Sequence, residues 1–312
     1  MATNMPISKP TVLILGAGAS APYGFPVGTM LRDEVCALPR NAPCLRLLSE
    51  VGHGEAAVRD FTQELLYSGY ASVDAFLEKN PAFLPIGKHV IAALLLPRET
   101  EATLFPIGGH SSPEHWYQTL LSHMAVGTED WQANQLSVIT FNYDRSFEHY
   151  FTRVISQRSQ VPLEAAHEQF AHVPVVHVHG SLGGYPQSAP SGLAYGQALD
   201  ARTVSVAAGR LLVVSEAEDT LPTFDAAYAL LRTAARVYFL GFGFHPDNVR
   251  RLRFFAAPGD QVDPYPLIWG SSAGITESEW GVIQYKVLNG HWNGIFSPKP
   301  VNVFLRRHAS LD

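Results

Sequence analysis

The sequence predicts an α/β protein with a doubly wound, mostly parallel, Rossmann-like sheet and an inserted helical lobe. Three observations support this fold class. Val12 to Leu15 is a continuous apolar run, typical of a strand buried on both faces of a parallel sheet. A glycine-rich turn follows it at once, and strand and helix patterns alternate through the C-terminal half of the chain. With 312 residues, 46% of them hydrophobic, the chain is long enough for one large core, and we expect a single domain.

The turn after the first strand has the spacing of a nucleotide-binding loop. Gly16 and Gly18 allow the backbone to turn tightly and to approach a phosphate, and Ala21 fills the third small position of the G-x-G-x-x-G/A pattern. A tight turn without any ligand is the alternative for such a pattern. An ordinary dinucleotide-binding unit continues with a second strand and an acidic residue about twenty positions on. Here Asp33 and Glu34 lie in a helical pattern instead, which indicates an insertion.

Helical spacing continues until shortly before Leu136, where the next convincing strand begins. Ser72 is a candidate N-cap within this stretch, and Lys88 to Leu96 is apolar enough to be a buried helix. We therefore predict a helical lobe that covers one side of the sheet. The predicted boundaries are about 27–133 for the lobe and about 8–26 and 134–308 for the core.

Polar residues follow the second predicted strand, Leu136 to Phe141. Asn142, Tyr143 and Asp144 come next, and helical spacing resumes at Phe147, so these residues lie at a strand-to-helix turn. Ligands of open α/β sheets bind at the carboxyl ends of the strands, which makes this turn a candidate site. A simple helix N-cap is the alternative role for Asp144.

Val173 to Val178 is a third predicted strand, and it ends in His179 and Gly180. An imidazole titrates near neutral pH and is suited to proton transfer, and the glycine leaves room for a ligand beside it. Most of the 13 histidines are expected to have no chemical role. His177 is interpreted as one of these, a core histidine with its hydrogen bonds satisfied.

The remaining chain completes the alternation. The Gly- and Pro-rich loop from Gly183 to Gly196 is a candidate mobile lid. Thr276 and Glu279 have the spacing of a capping box at a helix start. Further strands are predicted at Leu211–Val214, Arg236–Leu240, Leu267–Gly270 and Val301–Leu305, for a total of six or seven.

The strand Arg236–Leu240 runs directly into Gly241, Phe242 and Gly243. This is a second glycine-rich strand end, and in a parallel sheet it lies at the same edge as the first. A plain turn between strand and helix is the alternative interpretation.

Composition argues against several classes of protein. A net charge of −6 argues against a nucleic-acid-binding surface over the whole molecule, and the cluster of Arg250, Arg251 and Arg253 is interpreted as a solvated helix face. No apolar window reaches the roughly 18 residues that a membrane span needs, and the N-terminus lacks the pattern of a secretion signal, so we expect a cytoplasmic protein. Cys36 and Cys44 are the only cysteines, so the chain cannot build a four-cysteine zinc site. No cluster of His, Asp and Glu shows the spacing of metal ligands, so we expect no metal.

Four separated motifs occur in a fixed order along this chain. They are Gly16-Ala-Gly-Ala-Ser20 with Gly24-Phe-Pro26, Asn142-Tyr-Asp144, His179-Gly180, and Gly241-Phe-Gly243. Together they resemble the sirtuin (SIR2) superfamily, and more narrowly the SIR2-like effector domains of bacterial antiphage defence systems. The resemblance covers nearly the whole chain. It implies a Rossmann-like domain that binds NAD+ in extended form and cleaves its nicotinamide–ribose bond.

The resemblance also implies roles for individual residues. Asn142 would hold the ribose and an attacking water, Asp144 would contact the carboxamide, and His179 would be the catalytic base. These roles suit a scission that develops oxocarbenium character at the ribose. The NAD+-binding residues that it implies are Gly16, Ala17, Gly18 and Ser20 at the pyrophosphate and adjoining ribose, Pro26 in the same motif, and Gly241, Phe242 and Gly243 on the adenosine side.

Departures from the family pattern argue against protein deacylation. Deacylating sirtuins carry a four-cysteine zinc module, and they have an acidic-arginine pair where this chain has Val27 and Gly28. Phe141 stands where those enzymes usually place a glutamine. The predicted function is therefore an NAD+ glycohydrolase, with NAD+ as substrate. The alternatives are a non-catalytic module that binds NAD+ or ADP-ribose and, less favoured, a zinc-free deacylase.

The resemblance further implies a defence effector that depletes NAD+ when it is activated. Such an activity must be restrained in an uninfected cell, so we expect control by homo-oligomerisation or by a partner. A separately encoded protein is the favoured partner, since no sensor domain is evident in the chain. A helicase-like ATPase and an Argonaute-type protein are examples from the family. No membrane association and no direct nucleic-acid binding are expected.

Overall fold

The computed structural model describes residues 6–38, 42–107, 114–125, 131–213, 222–254, 266–308 and 311. Its strands are β1 (Thr11–Leu15), β2 (Leu136–Thr140), β3 (Val175–His177), β4 (Arg236–Leu240), β5 (Leu267–Ser271) and β6 (Phe296–Ser297). They form one parallel sheet in the order β3-β2-β1-β4-β5-β6. This is the order of a doubly wound Rossmann-like sheet, with the reversal of direction between β1 and β4. The predicted fold class is confirmed.

Helices cover both faces of the sheet. Those between β1 and β2 are α1 (Ala17–Ser20), α2 (Gly28–Ala37), α3 (Ala42–Glu50), α4 (Glu55–Tyr67), α5 (Val73–Lys79), α6 (Leu84–Leu95), α7 (Glu101–Leu104) and α8 (Tyr117–Leu121). Those after β2 are α9 (Ser146–Ser159), α10 (Leu163–Phe170), α11 (Ala201–Ala208), α12 (Pro222–Arg232), α13 (Pro246–Arg251), α14 (Glu277–Lys286) and α15 (Val301–His308). None of the helices in the described part of the chain is long and apolar enough to span a bilayer.

The strand β1 separates two hydrophobic cores. All five of its residues are buried. Leu13 and Leu15 belong to the larger core, which the sheet shares with helices α1 to α11 and α15, whereas Val12 and Ile14 belong to the core beneath α12 and α13. Successive side chains of a strand point to opposite faces, so a continuous apolar run is what a strand between two cores requires.

Several local predictions are confirmed. The hydroxyl of Ser72 accepts a hydrogen bond from the backbone N–H of Ala75 and caps α5. Thr276 and Glu279 form the predicted capping box at the start of α14. Such caps satisfy backbone donors that the first helical turn leaves without partners, which is why short-range spacing predicts them well.

The predicted strand Val301–Leu305 is wrong, because this segment is the first part of helix α15. Val301, Phe304 and Leu305 are buried, which is the spacing of one helical face, while Val303 is only partly buried. The sixth strand is instead Phe296–Ser297, paired with β5. Two residues are too few for a periodic signal, so this strand could not be predicted.

The predicted strand Leu211–Val214 does not form over its described residues. Leu211 makes only an isolated antiparallel bridge with Gly180, and Val214 lies outside the described residues. The backbone N–H of Leu212 donates to the carbonyl of His179 at 2.9 Å. This apolar segment therefore covers the turn after β3 and does not extend the sheet.

The loop from Gly183 to Gly196 is anchored by a buried arginine. The guanidinium of Arg145 donates to the carbonyls of Leu193, at 2.6 Å, and Gly184, at 3.3 Å. It also pairs with Glu99, and both side chains are at most 1% exposed. This anchorage argues against a mobile lid and ties the turn after β2 to both the loop and the helical lobe.

Candidate functional site

A cleft of about 480 Å³ opens at the carboxyl edge of the sheet. Its volume lies within the range of small-molecule sites, roughly 300–1,000 Å³. One wall comes from the ends of the strands, a second from α2 and α5, and a third from α13. The predicted site residues that line it are Gly16, Ala17, Asn142, His179, Phe242 and Gly243, whereas Gly18, Ser20, Pro26, Asp144 and Gly241 are not among the lining residues.

The two glycine-rich turns interlock at the floor of the cleft. The N–H of Gly16 donates to the carbonyl of Leu240, and the N–H of Gly18 donates to that of Gly241, both at 3.0 Å. A Cβ on Gly16 would lie 2.6 Å from the oxygen of Gly241, and a Cβ on Gly241, whose φ is +59°, would lie 2.2 Å from the nitrogen of Ala19. These glycines are therefore needed for contact between the turns. The N–H groups of Gly16 and Gly18 both donate to carbonyls, so in this arrangement they do not point into the cleft as free donors.

Asn142 lies at the centre of a directional hydrogen-bond network. Its Nδ2 donates to the carbonyl of Gly16 at 2.9 Å and to Oγ of Ser20 at 2.8 Å. Ser20 donates in turn to Oδ2 of Asp144 at 2.6 Å, and Oδ1 of Asp144 accepts from the backbone N–H of Ser146. A carbonyl can only accept, so Nδ2 must face Gly16 and Oδ1 of Asn142 is its remaining acceptor. Ser20 and Asp144 thus fix the amide of Asn142 through hydrogen bonds, although neither residue lines the cleft. Asp144 also binds the first residue of α9.

His179 is held in an aromatic setting, and its ring is buried although the residue lines the cleft. Only 6% of the residue is exposed, and its ring centroid lies 5.4 Å from that of Phe141 and 5.8 Å from that of Phe224. Its Nδ1 is buried and has no hydrogen-bond partner among the described residues. A buried polar atom without a hydrogen-bond partner is costly, so this nitrogen contributes nothing to the stability of the fold.

Burial lowers the pKa of His179 below its ordinary value. The nearby carboxylate of Asp74 and a hydrogen bond with the Asn248 side chain oppose this shift, and the positive charge of Arg251 adds to it. The net result is a neutral imidazole at neutral pH. A neutral ring can accept a proton, which is the state that a general base requires.

Gly180 has a structural role that the sequence interpretation missed. Its φ is +73°, and a Cβ there would lie 1.9 Å from the carbonyl oxygen of Arg210. The glycine therefore accommodates the segment that covers the turn after β3, and not a ligand.

Several cleft residues were not predicted. Asp74 and Glu78 of α5 line the cleft, and Asp74 accepts a hydrogen bond of 2.7 Å from the hydroxyl of Tyr143. Arg251 lines it as well and is 7% exposed, so its assignment to a solvated helix face was wrong. The local signal around Asp74 is only that of a helix start, and the contact between α5 and the end of β2 is not encoded locally.

Among the described residues, no three His, Cys, Asp or Glu side chains are arranged to hold a metal ion. No protein-family model matches this chain, and no curated protein matches its sequence. The fold and the geometry of the cleft are therefore the observations from which function can be inferred.

Proposed function

We propose that this protein is an NAD+ glycohydrolase of the SIR2-like type, which converts NAD+ and water into ADP-ribose and nicotinamide. One observation carries the proposal: Asn142 and His179, which follow the neighbouring strands β2 and β3, line a single cleft. The glycine-rich turns after β1 and β4 line the same cleft, and the reversal of strand order lies between them. Nucleotides bind doubly wound sheets at such a reversal point.

The substrate would lie across the carboxyl edge of the sheet in extended form. Its nicotinamide and adjoining ribose would face Asn142 and His179, and its adenosine half would face Phe242 and Gly243. The pyrophosphate would cross the floor near Gly16 and Ala17. The remaining predicted residues do not line the cleft and would support the binding surface indirectly. They are Gly18, Ser20, Pro26, Asp144 and Gly241.

The chemistry requires one bond to break and one to form at the anomeric carbon. As the C–N bond breaks, its electron pair goes to the pyridinium ring and nicotinamide leaves as a neutral molecule. The hydrogen bonds of Asn142 within the protein occupy its Nδ2 and leave Oδ1 available as an acceptor. This oxygen would orient the water or the ribose hydroxyl. His179 would take the proton of the attacking water, and release of that proton completes the balance of NAD+ and water with ADP-ribose, nicotinamide and H+.

The proposal includes a biological role that rests on the motif resemblance. An enzyme that depletes NAD+ harms its own cell, so it must be silent until it is triggered. We infer a cytoplasmic defence effector that is controlled by self-assembly or by a separately encoded partner. A helicase-like ATPase and an Argonaute-type protein are the classes of partner that the resemblance suggests.

Nicotinamide release tests the proposal directly. Purified protein is incubated with NAD+, alone and together with the product of its neighbouring gene. Wild type is compared with His179→Ala and Asn142→Ala, and His172→Ala, an exposed histidine that precedes β3, serves as the matched control. We expect release by wild type and by the control, and none by the two cleft variants, which keep most of their affinity for NAD+.

Two outcomes would change the assignment. Release that persists in His179→Ala would reject the imidazole as the base. Tight binding of NAD+ or ADP-ribose without release, in the presence of every partner tested, would favour the non-catalytic module. A zinc-free deacylase would reveal itself by nicotinamide release that depends on an acylated peptide.

A further inference from the structure

His177 joins the turn that carries Asn142 to helix α9. It is the last residue of β3 and is paired in register with Thr140 of β2, which places its ring beside the backbone of residue 142. Its Nδ1 lies 3.0 Å from the carbonyl oxygen of Asn142, and its Nε2 lies 2.7 Å from Oε1 of Glu148. The expectation of a core histidine with satisfied hydrogen bonds is confirmed at both ring nitrogens.

The identity of these partners defines the protonation of the ring. A backbone carbonyl can only accept a hydrogen bond, so Nδ1 of His177 must carry a proton. Burial alone would lower the pKa of His177, but the charge and the hydrogen bond of Glu148 raise it overall, with further contributions from the Asn142 carbonyl and from Asp144. Burial alone would raise the pKa of Glu148, but His177 and, more weakly, Arg145 lower it. The raised pKa of His177 and the lowered pKa of Glu148 favour an imidazolium–carboxylate pair, whereas the proton on Nδ1 follows from the geometry alone.

Asn142 is held at every polar group except one. Its backbone N–H donates to Oγ1 of Thr140 at 3.0 Å, its Nδ2 donates to Gly16 and Ser20, and its carbonyl accepts from His177. Oδ1 is the polar atom of Asn142 for which the described residues provide no hydrogen bond. A residue fixed in this way presents a single acceptor in a defined direction.

We propose that His177 is a positioning residue, which through its Nδ1–H fixes the carbonyl of Asn142 and so aims Oδ1 at the ribose end of the cleft. This inference rests on the proposed function, since it gives the hydrogen bond a role in the reaction. Glu148 acts one step further back, because it holds the ring in the orientation that presents Nδ1 to the turn. His177 itself touches no substrate and takes no part in proton transfer.

Two substitutions of His177 separate this role from a merely structural one. The amide nitrogen of asparagine takes the place of Nδ1, whereas that of glutamine takes the place of Nε2. His177→Asn therefore keeps a donor for the Asn142 carbonyl, and His177→Gln keeps a donor for Glu148. We expect His177→Gln to lower kcat by about 10- to 100-fold with little change in KM, and His177→Asn to retain most of the wild-type kcat.

Hydrogen–deuterium exchange supplies a readout that does not depend on activity. Exchange in the peptide that spans residues 136–147 should be faster in His177→Gln and close to wild type in His177→Asn. Equal kcat and equal exchange in the two variants, or better performance by His177→Gln, would overturn the positioning role. If wild type releases no nicotinamide in the presence of every partner tested, the proposed function fails, and the exchange comparison by itself supports or overturns the positioning of residue 142.

Discussion

Nδ2 of Asn142 donates a hydrogen bond of 2.8 Å to Oγ of Ser20. A hydroxyl has one proton, and Ser20 gives it to Asp144 at 2.6 Å, so the three side chains form a chain with one direction. The turn after β1 and the turn after β2 are thereby joined through side chains 122 residues apart. Ser20 of the glycine-rich motif thus acts on the candidate site through Asn142, and it does not line the cleft.

Replacement of Ser20 by alanine should disturb both ends of this chain. One amide proton of Asn142 and Oδ2 of Asp144 would lose their buried partner, at a cost of about 1–3 kcal/mol in the free energy of unfolding. Nicotinamide release should fall as well, because Asn142 is less well oriented. Urea denaturation measures the first effect. Ser205→Ala on α11, an exposed hydroxyl bonded only to the carbonyl of Ala201, is the control and should change stability by a few tenths of a kcal/mol at most.

The interlocked turns predict opposite outcomes for two glycines of the cleft. A Cβ on Gly16 would meet the backbone of the facing turn at 2.6 Å, whereas a Cβ on Gly243 would meet nothing within 4 Å. Gly16→Ala should therefore destabilise the protein by about 1–3 kcal/mol or more, as overpacking does, and abolish NAD+ binding. Gly243→Ala should leave the thermal unfolding midpoint within a few degrees of wild type. Equal midpoints for the two variants would contradict the contact between the turns.

The buried pair of Arg145 and Glu99 should be far more sensitive than a surface pair. Glu99→Ala leaves a guanidinium buried without its counter-ion, and we expect a loss of about 3–5 kcal/mol in the free energy of unfolding. The control is Glu55→Ala, which breaks an exposed pair with Arg59 and should cost about 0.5 kcal/mol or less. Chemical denaturation of both variants checks the contrast. A loss below 1 kcal/mol for Glu99→Ala would show that the pair does not anchor the loop.

The lowered pKa of His179 predicts the shape of the pH profile. A base must be neutral to accept a proton, so the acid limb of kcat/KM should lie below the ordinary histidine value of 6.5. The charge of Asp74 raises this pKa and that of Arg251 lowers it. Asp74→Asn should therefore move the acid limb to lower pH, and Arg251→Met should move it to higher pH.

The assignment to His179 requires that Asp74→Asn and Arg251→Met move the acid limb of kcat/KM in opposite directions. Glu64→Gln, an exposed carboxylate on α4, is the matched control and should leave the limb in place. Displacement in the same direction for Asp74→Asn and Arg251→Met would show that the limb reports another group. Nicotinamide release measured across the pH range provides all four profiles.

The sequence predicted the strands that carry the site, and the reason is local. The apolar runs before Gly16, Asn142, His179 and Gly241 are long enough to be recognised as buried strands. Parallel strands bring their carboxyl ends to one edge, so four motifs at strand ends could be expected to meet. The errors fell where this local signal is short or ambiguous, as in β6 with two residues and in α15, whose alternating valines imitate a strand.

By itself, then, the sequence determined the α/β class, the double burial of β1, the caps of α5 and α14, and six of the residues that line the cleft. Only the tertiary structure decided what those residues touch. It showed that Gly16 and Gly241 allow the two glycine-rich turns to pack against each other, and that α5 places Asp74 in the cleft. It also showed that His177 holds Asn142. The physical reason is that periodicity records which face of a segment is buried, whereas hydrogen bonds between segments far apart in sequence depend on how the packed elements meet.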